Sequence, residues 1–112
     1  MRELKFRAYL PEIKRFHYFS MGNFHLSDYH LLRHSHQAQQ YTGLKDKDGI
    51  EIYEGDIVRY IIGNRVYVEQ IAWENYGWVF LSFDGGSSSP IVSLPSLEVI
   101  GNITENPELK TP

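Results

Sequence analysis

The chain is 112 residues long, 42% hydrophobic and 14% aromatic, which predicts one domain able to bury a core of its own. Its formal charge of −3 gives the chain as a whole no attraction for nucleic acid or anionic membranes. The absence of cysteine excludes disulfides, thiolate metal sites and cysteine nucleophiles. No export signal or membrane-length apolar run is visible, so we expect a soluble protein of the cytoplasm that does not act at a membrane.

The first strand-like segments form a predicted β-hairpin. Apolar residues alternate with Lys5, Arg7 and Tyr9 between Leu4 and Leu10, which predicts a strand with one apolar and one more polar face. Pro11 suits the turn that follows, because its ring fixes φ and it lacks an N–H for a sheet ladder. A second run, from Ile13 to Phe19, supplies the partner strand.

The next segment is predicted to be a short helix or an irregular loop. Ser27 or Asp28 could cap a helix N-terminus, and apolar residues then recur at spacings of three and four. The helical interpretation covers Tyr29–Gln37.

Glycine and aspartate residues predict closely spaced turns in the middle of the chain. An aspartate side chain can accept hydrogen bonds from nearby backbone amides, and glycine readily adopts positive φ. The glycines recur every six residues, a turn spacing without the lysine and helix of a phosphate-binding loop. The predicted turn residues are Gly43, Asp46, Asp48, Gly49, Gly55 and Asp56.

The strongest strand signal surrounds Gly63-Asn64, a two-residue hairpin turn. It lies between Ile57–Ile62 and Val66–Trp73, and it places Tyr60 opposite Tyr67. The same register sets Val58 opposite Glu69 and Arg59 opposite Val68. Because apolar residues fall on both faces, we expect both to be covered, by a closed barrel or by another subunit.

The last third of the chain supplies further strands. Trp78–Phe83 is the first, the glycine- and serine-rich residues 84–90 form a predicted mobile loop, and Ile91–Leu94 and Leu97–Ile103 close the domain. The fold class is mainly β to α+β, with an N-terminal hairpin, a short helix or loop, and a C-terminal small Src-homology-like β-barrel. The single domain 1–112 can be divided into 1–40, the barrel 41–105 and a tail 106–112.

Three blocks of the sequence resemble one protein family. They are Lys5–Tyr9, the specific central block Gln40–Val58, and Val99–Leu109. Together they are similar to the YopX family of phage and prophage proteins, in the family's usual order. The resemblance implies a phage-encoded intracellular protein from a family labelled as of unknown function, and it transfers no catalytic residues.

Several groups of residues suggest a metal site or a nucleophile, but an ordinary structural or surface role explains each of them as well. His30, His34 and His36 could ligate a metal, since the first two share a helical face, but no third ligand is defined and surface histidines are the favoured interpretation. The carboxylates in the middle of the chain supply only part of a calcium-binding loop, so solvated turn residues are the favoured interpretation: Asp46, Asp48, Glu51, Glu54 and Asp56. Ser87-Ser88-Ser89 lacks the setting of a nucleophile and is favoured as a linker.

Aromatic residues beside arginines raise the hypothesis of a nucleic-acid surface. Arg59, Arg65, Tyr67 and Trp73 could combine phosphate contacts with base stacking. The favoured alternative is that these rings fill a core or a subunit contact.

We therefore expect a non-enzymatic interaction protein without cofactor that forms a homo-oligomer and binds a host or phage protein. A nucleic-acid-binding module in phage replication or regulation, and a metal-dependent enzyme, are the alternatives.

Overall fold

The computed structural model describes residues 4–32, 38–74, 77–84 and 87–110. The protein is mainly β, with one α-helix among the described residues. The elements in chain order are β1 (Lys5–Leu10), β2 (Arg15–Ser20), a 3₁₀ turn (Met21–Asn23), α1 (Leu26–Leu32), β3 (Ala38–Lys45), β4 (Glu51–Tyr53), β5 (Asp56–Ile62), β6 (Arg65–Glu74), β7 (Gly77–Leu81), β8 (Ser88–Pro90), β9 (Glu98–Asn102) and a second 3₁₀ turn (Pro107–Lys110).

The strands form two sheets. The first has four strands in the order β2-β1-β3-β4, and the second has five in the order β8-β7-β6-β5-β9. Every pairing recorded among the described strands is antiparallel. The second sheet is a curled half-barrel, and the specific Src-homology-like arrangement stays a prediction. β3 crosses the predicted division at residue 40, and that division also stays a prediction.

The N-terminal hairpin is present as predicted, with its strands paired from Lys5 opposite Ser20 to Leu10 opposite Arg15. Both faces of β1 are buried. Ala8 and Leu10 are 2% and 8% exposed on one face, and Arg7 is 5% exposed on the other. The face that looks more polar in the sequence is therefore an interior surface.

The short helix begins earlier than predicted, at Leu26 rather than Tyr29. Asp28 is its third residue, and its Oδ2 accepts a hydrogen bond from the backbone N–H of His25 at 2.9 Å. A carboxylate at the third helical position can satisfy the amide preceding the helix, so Asp28 caps the helix from inside. The predicted C-terminal end at Gln37 lies outside the described residues.

The central hairpin has the predicted register. Tyr60 lies opposite Tyr67, Val58 opposite Glu69, and Arg59 opposite Val68. Gly63 adopts a φ of 60° at the turn, a conformation that glycine takes without steric cost.

The main core lies on the inner face of the second sheet. A fully buried cluster combines residues from β4, β5, β6 and β7 with Leu97, which precedes β9: Ile52, Val58, Tyr60, Ile71, Phe80 and Leu97. The rings of Tyr60 and Phe80 stack with their centroids 4.6 Å apart.

Two predictions for the last third of the chain are wrong. Ile91–Leu94 is not a strand, whereas Ser88–Pro90, placed in the predicted mobile loop, forms β8 against β7. Serine has a weak strand propensity, so this pairing depends on the neighbouring β7 rather than on local sequence. Within the described part of the chain, no helix is long and apolar enough to cross a membrane.

Candidate functional site

A buried ion pair joins the two sheets. Arg7 on β1 donates from Nη2 to Oδ1 of Asp56, the first residue of β5, at 2.7 Å. The side chains are 5% and 3% exposed. Arg7 also donates from Nε to Oε1 of Gln39 at 2.8 Å, and Oδ2 of Asp56 accepts the N–H of Tyr53 at 2.7 Å. The guanidinium thus connects β1 to β3 and to the start of the second sheet.

Aromatic rings complete the surroundings of this ion pair. The guanidinium carbon of Arg7 lies 4.3 Å from the ring centroid of Phe16 and 4.9 Å from that of Tyr53. Arginine stacks favourably on aromatic faces, especially where water is excluded. The arrangement has the features of a structural junction, because each buried charge has a partner of opposite charge.

Burial governs the ionisation of groups around the junction. It raises the pKa of Asp56 above its usual value, although Arg7 and the amide of Tyr53 act in the opposite direction. Burial, together with the nearby charge of Glu51, raises the pKa of Tyr53 to about 12. The raised pKa of Tyr53 lies far above neutral pH, so its hydroxyl stays protonated there.

Asp46 connects the predicted turn to the last strand. Its Oδ1 accepts the N–H groups of Asp48 and Ile50 at 2.8 and 3.0 Å, and its Oδ2 accepts the N–H of Val99 at 3.0 Å. Burial raises the pKa of Asp46, but these backbone hydrogen bonds outweigh burial and hold it below its usual value. Both carboxylate oxygens are therefore engaged by backbone amides.

The outer face of the β5–β6 hairpin carries an exposed apolar row, here called the outer row: Ile61, Val66 and Val68. These side chains are 42%, 55% and 37% exposed. Ile61 lies opposite Val66, and Val68 lies opposite Arg59, so all four side chains project from the same face. Three neighbouring β-branched side chains are thus exposed to water on one face of the hairpin.

The outer row borders a groove. The groove has a volume of about 610 Å³ and is lined by Val66, Val68, Ser82, Phe83, Asp84, Ile100, Glu108 and Leu109. One wall is formed by residues 82–84, which come directly after β7 in the chain, and the opposite wall by the C-terminal 3₁₀ turn. That turn packs closely on β9: Gly101 has no side chain, and a Cβ added there would lie only 2.8 Å from Cδ1 of Leu109. The tail residues thus shape this surface.

The residues of the nucleic-acid hypothesis lie in three places. Arg59 is on the outer face, whereas Arg65 and Tyr67 lie on the inner face near the hairpin turn, with Arg65 5.3 Å from the ring centroid of Tyr67. Trp73 is 49% exposed and packs edge-to-face on Trp78. It stands eight residues from Arg65, which is about 26 Å along a strand. The structure therefore does not gather these four residues into one patch.

The histidine hypothesis is only partly described by the structure. His30 is exposed on α1, while His34 and His36 lie outside the described residues. In the described part of the chain, no group of three or more His, Asp or Glu side chains could hold a metal ion. His17, on β2, instead contacts Oδ1 of Asp28 through Nε2 at 2.6 Å.

Sequence reasoning missed Arg7 as a buried residue. In the alternating pattern of β1 it belongs to the face with Lys5 and Tyr9, and arginine is seldom buried unless it is paired. The signal that could have indicated its burial is a general one: a two-stranded hairpin is only marginally stable alone and needs further strands or a packing partner. The sequence analysis also expects both faces of the β5–β6 hairpin to be covered; the outer row is exposed in this structure, so its cover by another subunit stays a prediction.

Comparison with known proteins identifies the relatives of this architecture. The family model YopX, described as YopX protein, matches residues 12–110. The chain therefore belongs to the YopX family, which confirms the resemblance of its sequence blocks. No curated protein matches the chain.

The fold is also similar to a solved structure. The crystal structure of protein EF1440 from Enterococcus faecalis matches with a TM-score of 0.57 and 27% sequence identity. The match covers 96% of this chain and 97% of that protein. The arrangement of strands is thus shared over nearly the full length of both chains.

Proposed function

We propose that this protein is a non-enzymatic interaction protein, encoded by a phage or prophage and acting in the bacterial cytoplasm. It assembles with copies of itself and presents the assembly to a host or phage protein. The observation that carries the proposal is the outer row, whose most exposed member, Val66, is 55% exposed at the hairpin-turn end of an ordered sheet face.

A second copy fits this surface better than an unrelated polar ligand does. Two antiparallel sheets can pack face to face with their strands nearly aligned, interdigitating apolar side chains across about 10 Å. The outer row is made of β-branched side chains, which are stiff and lose little entropy when they are buried. Burial of the row in both copies removes apolar surface from water at each side of the contact.

The charges beside the outer row are compatible with a two-fold contact. Arg59 lies on β5, on one side of β6, while Asp84 follows β7 on the other side. A two-fold axis along β6 brings the β5 side of one copy over the β7 side of its partner. Arg59 of each copy then approaches Asp84 of the other, so the contact is self-complementary in charge.

A matched pair of lysine variants tests the proposal. Val66→Lys places a charge in the outer row, and Val92→Lys places one at an equally exposed valine outside the β5–β6 hairpin; the two positions are 55% and 51% exposed. In a two-fold contact each substitution counts twice, so we expect Val66→Lys to weaken association about 100-fold. Val92→Lys should leave it unchanged.

Sedimentation velocity at matched concentrations measures this difference. The proposal requires the wild type and Val92→Lys to sediment as the same assembly and Val66→Lys as a smaller species. A wild type that remains monomeric at high concentration, or a Val66→Lys protein with the wild-type sedimentation coefficient, would contradict it. Unchanged far-ultraviolet circular dichroism in both variants shows that the fold is intact.

A further inference from the structure

β2 is an edge strand whose outer side has no partner in the described part of the chain. It pairs only with β1, and the backbone N–H of Met21 donates to the carbonyl of Leu4 at 3.0 Å beyond the end of the ladder. In an antiparallel pair the hydrogen-bonding direction alternates along each strand. With this register, the backbone groups of His17 and Phe19 point toward β1, and those of Phe16 and Tyr18 point away from it.

The other sheet edges are short or already engaged. β4 and β8 each have three residues, and β8 ends in Pro90, which has no N–H. On β9, the amides of Val99 and Asn102 donate to the side chains of Asp46 and Asn106. β2 has six residues and no proline, and no hydrogen bond from the described part of the chain engages its outer side. Natural proteins usually protect such an edge, so an open one indicates strand pairing.

We propose that the outer edge of β2 pairs antiparallel with β2 of a second copy, across a two-fold axis at His17. The axis sets Phe16 of each copy opposite Tyr18 of the other. Each Phe16–Tyr18 pair exchanges two backbone hydrogen bonds, and the two four-stranded sheets become one sheet of eight strands.

Side chains favour this register over an arbitrary peptide strand. Tyr18 is 55% exposed, and the axis brings its ring beside Phe16 of the partner, an aromatic cross-strand pair. Arg15 lies beyond one end of the aromatic run, and the axis sets it opposite Phe19 of the other copy. The two copies of Arg15 are then about 13 Å apart along the strand, where their repulsion is weak.

This contact is distinct from the outer-row contact, which involves β5 and β6. It uses backbone hydrogen bonds at a sheet edge instead of side-chain packing on a sheet face. The two proposals can therefore fail independently.

A cysteine at the proposed axis tests the pairing directly, because the chain contains no cysteine of its own. His17 would form a non-hydrogen-bonded pair with its own copy, with Cα atoms about 4.5 Å apart, which is within the range of a disulfide. We expect His17→Cys to form a disulfide-linked dimer under mild oxidation. Arg15→Cys, about 13 Å from its own copy in this register, should remain mostly monomeric.

The crosslinking is measured in the Val66→Lys background, where outer-row association is disrupted. A His17→Cys dimer in that background supports the β2 contact whether or not the outer row self-associates. Addition of Tyr18→Pro, which removes one outward N–H, should lower the crosslinked fraction severalfold while circular dichroism reports the fold. Equal crosslinking of the His17→Cys and Arg15→Cys proteins, or none in either, would overturn the proposal.

Discussion

Arg7 and Asp56 form an ion pair of 2.7 Å with both side chains almost completely buried, at the place where the first sheet meets the second. The sequence separates them by 49 positions, so the pair closes a long stretch of chain. Its partners, Gln39 and the amide of Tyr53, satisfy further polar groups of the same junction. The first sheet is thereby held against the body that carries the outer row.

Removal of one partner of this pair should destabilise the protein strongly. Asp56→Ala leaves the charge of Arg7 buried without a counter-ion, and we expect a loss of about 3–5 kcal/mol in the free energy of unfolding. Equilibrium urea unfolding measures it. Glu108→Ala, at an exposed carboxylate, should change stability by less than about 0.5 kcal/mol.

The double variant Arg7→Met with Asp56→Leu distinguishes the cost of an unpaired buried charge from the cost of altering the shape and hydrogen bonds of the junction. It removes both charges and replaces them with apolar side chains, so it should be more stable than Asp56→Ala. A double variant as unstable as the single one would show that shape and hydrogen bonding, not charge pairing, dominate the junction.

Asp46 should contribute a pH-dependent stabilisation. Its pKa is lower in the folded protein than the ordinary 3.8, so its ionised form stabilises the fold at pH values above 3.8, and this contribution disappears as the pH falls through the folded-state pKa. In Asp46→Asn, the new side-chain NH₂ either faces the backbone N–H of Val99 or turns away, and in both cases that N–H loses the acceptor that it has in the wild type. We expect a loss of about 2 kcal/mol at neutral pH.

The matched control is Asp48→Asn, at an exposed aspartate in the same turn. Unfolding free energies measured from neutral to acid pH should show the gap between wild type and Asp46→Asn narrowing below pH 3.8. Asp48→Asn should follow the wild type throughout. A gap for Asp46→Asn that persists unchanged into acid would show that the carboxylate's charge is not the stabilising feature.

Two glycines with the same backbone conformation should respond differently to alanine. Gly43 and Gly55 have φ values of 91° and 86°, so alanine is strained at both, by about 1–2 kcal/mol. At Gly43 the added Cβ meets nothing within 4 Å, but at Gly55 it would lie 2.4 Å from Nε2 of Gln39. Gln39 is buried and bonded to Arg7, so it cannot simply move away.

Gly55→Ala is therefore expected to cost at least about 1 kcal/mol more than Gly43→Ala, as measured by thermal unfolding of both variants. Equal losses would indicate that Gln39 rearranges freely and that its hydrogen bond to Arg7 does not hold it in place.

Local chemistry explains which parts of the fold the sequence predicts well. The register of the β5–β6 hairpin follows from the turn at Gly63-Asn64, and the turn at Asp46 follows from the ability of an aspartate to accept neighbouring amides. β8 and the burial of Arg7 depend on partners distant in sequence. Neither Ser88–Pro90 nor Arg7 carries a local signal for its environment, because strand pairing and charge pairing are tertiary effects.

The candidate site was accessible from the sequence only in outline. Apolar residues on both faces of the β5–β6 hairpin predict that its outer face is covered as well as its inner face. The alternation does not show which end of the outer face the rest of the chain leaves exposed. The structure shows Ile57 fully buried and Ile61 exposed on the same strand face, because Leu109 and Asn106 pack on β9 beside Ile57 and not at the hairpin turn.

We expect the outer row to form a contact between copies of this chain. Sedimentation equilibrium of the wild-type protein, from micromolar to high-micromolar concentration, tests it most directly. Association through the outer row should give a weight-average mass that rises with concentration to at least twice the monomer mass, with the mass of Val66→Lys below that of the wild type at every concentration. A wild-type mass that stays at the monomer value over the whole range would contradict it.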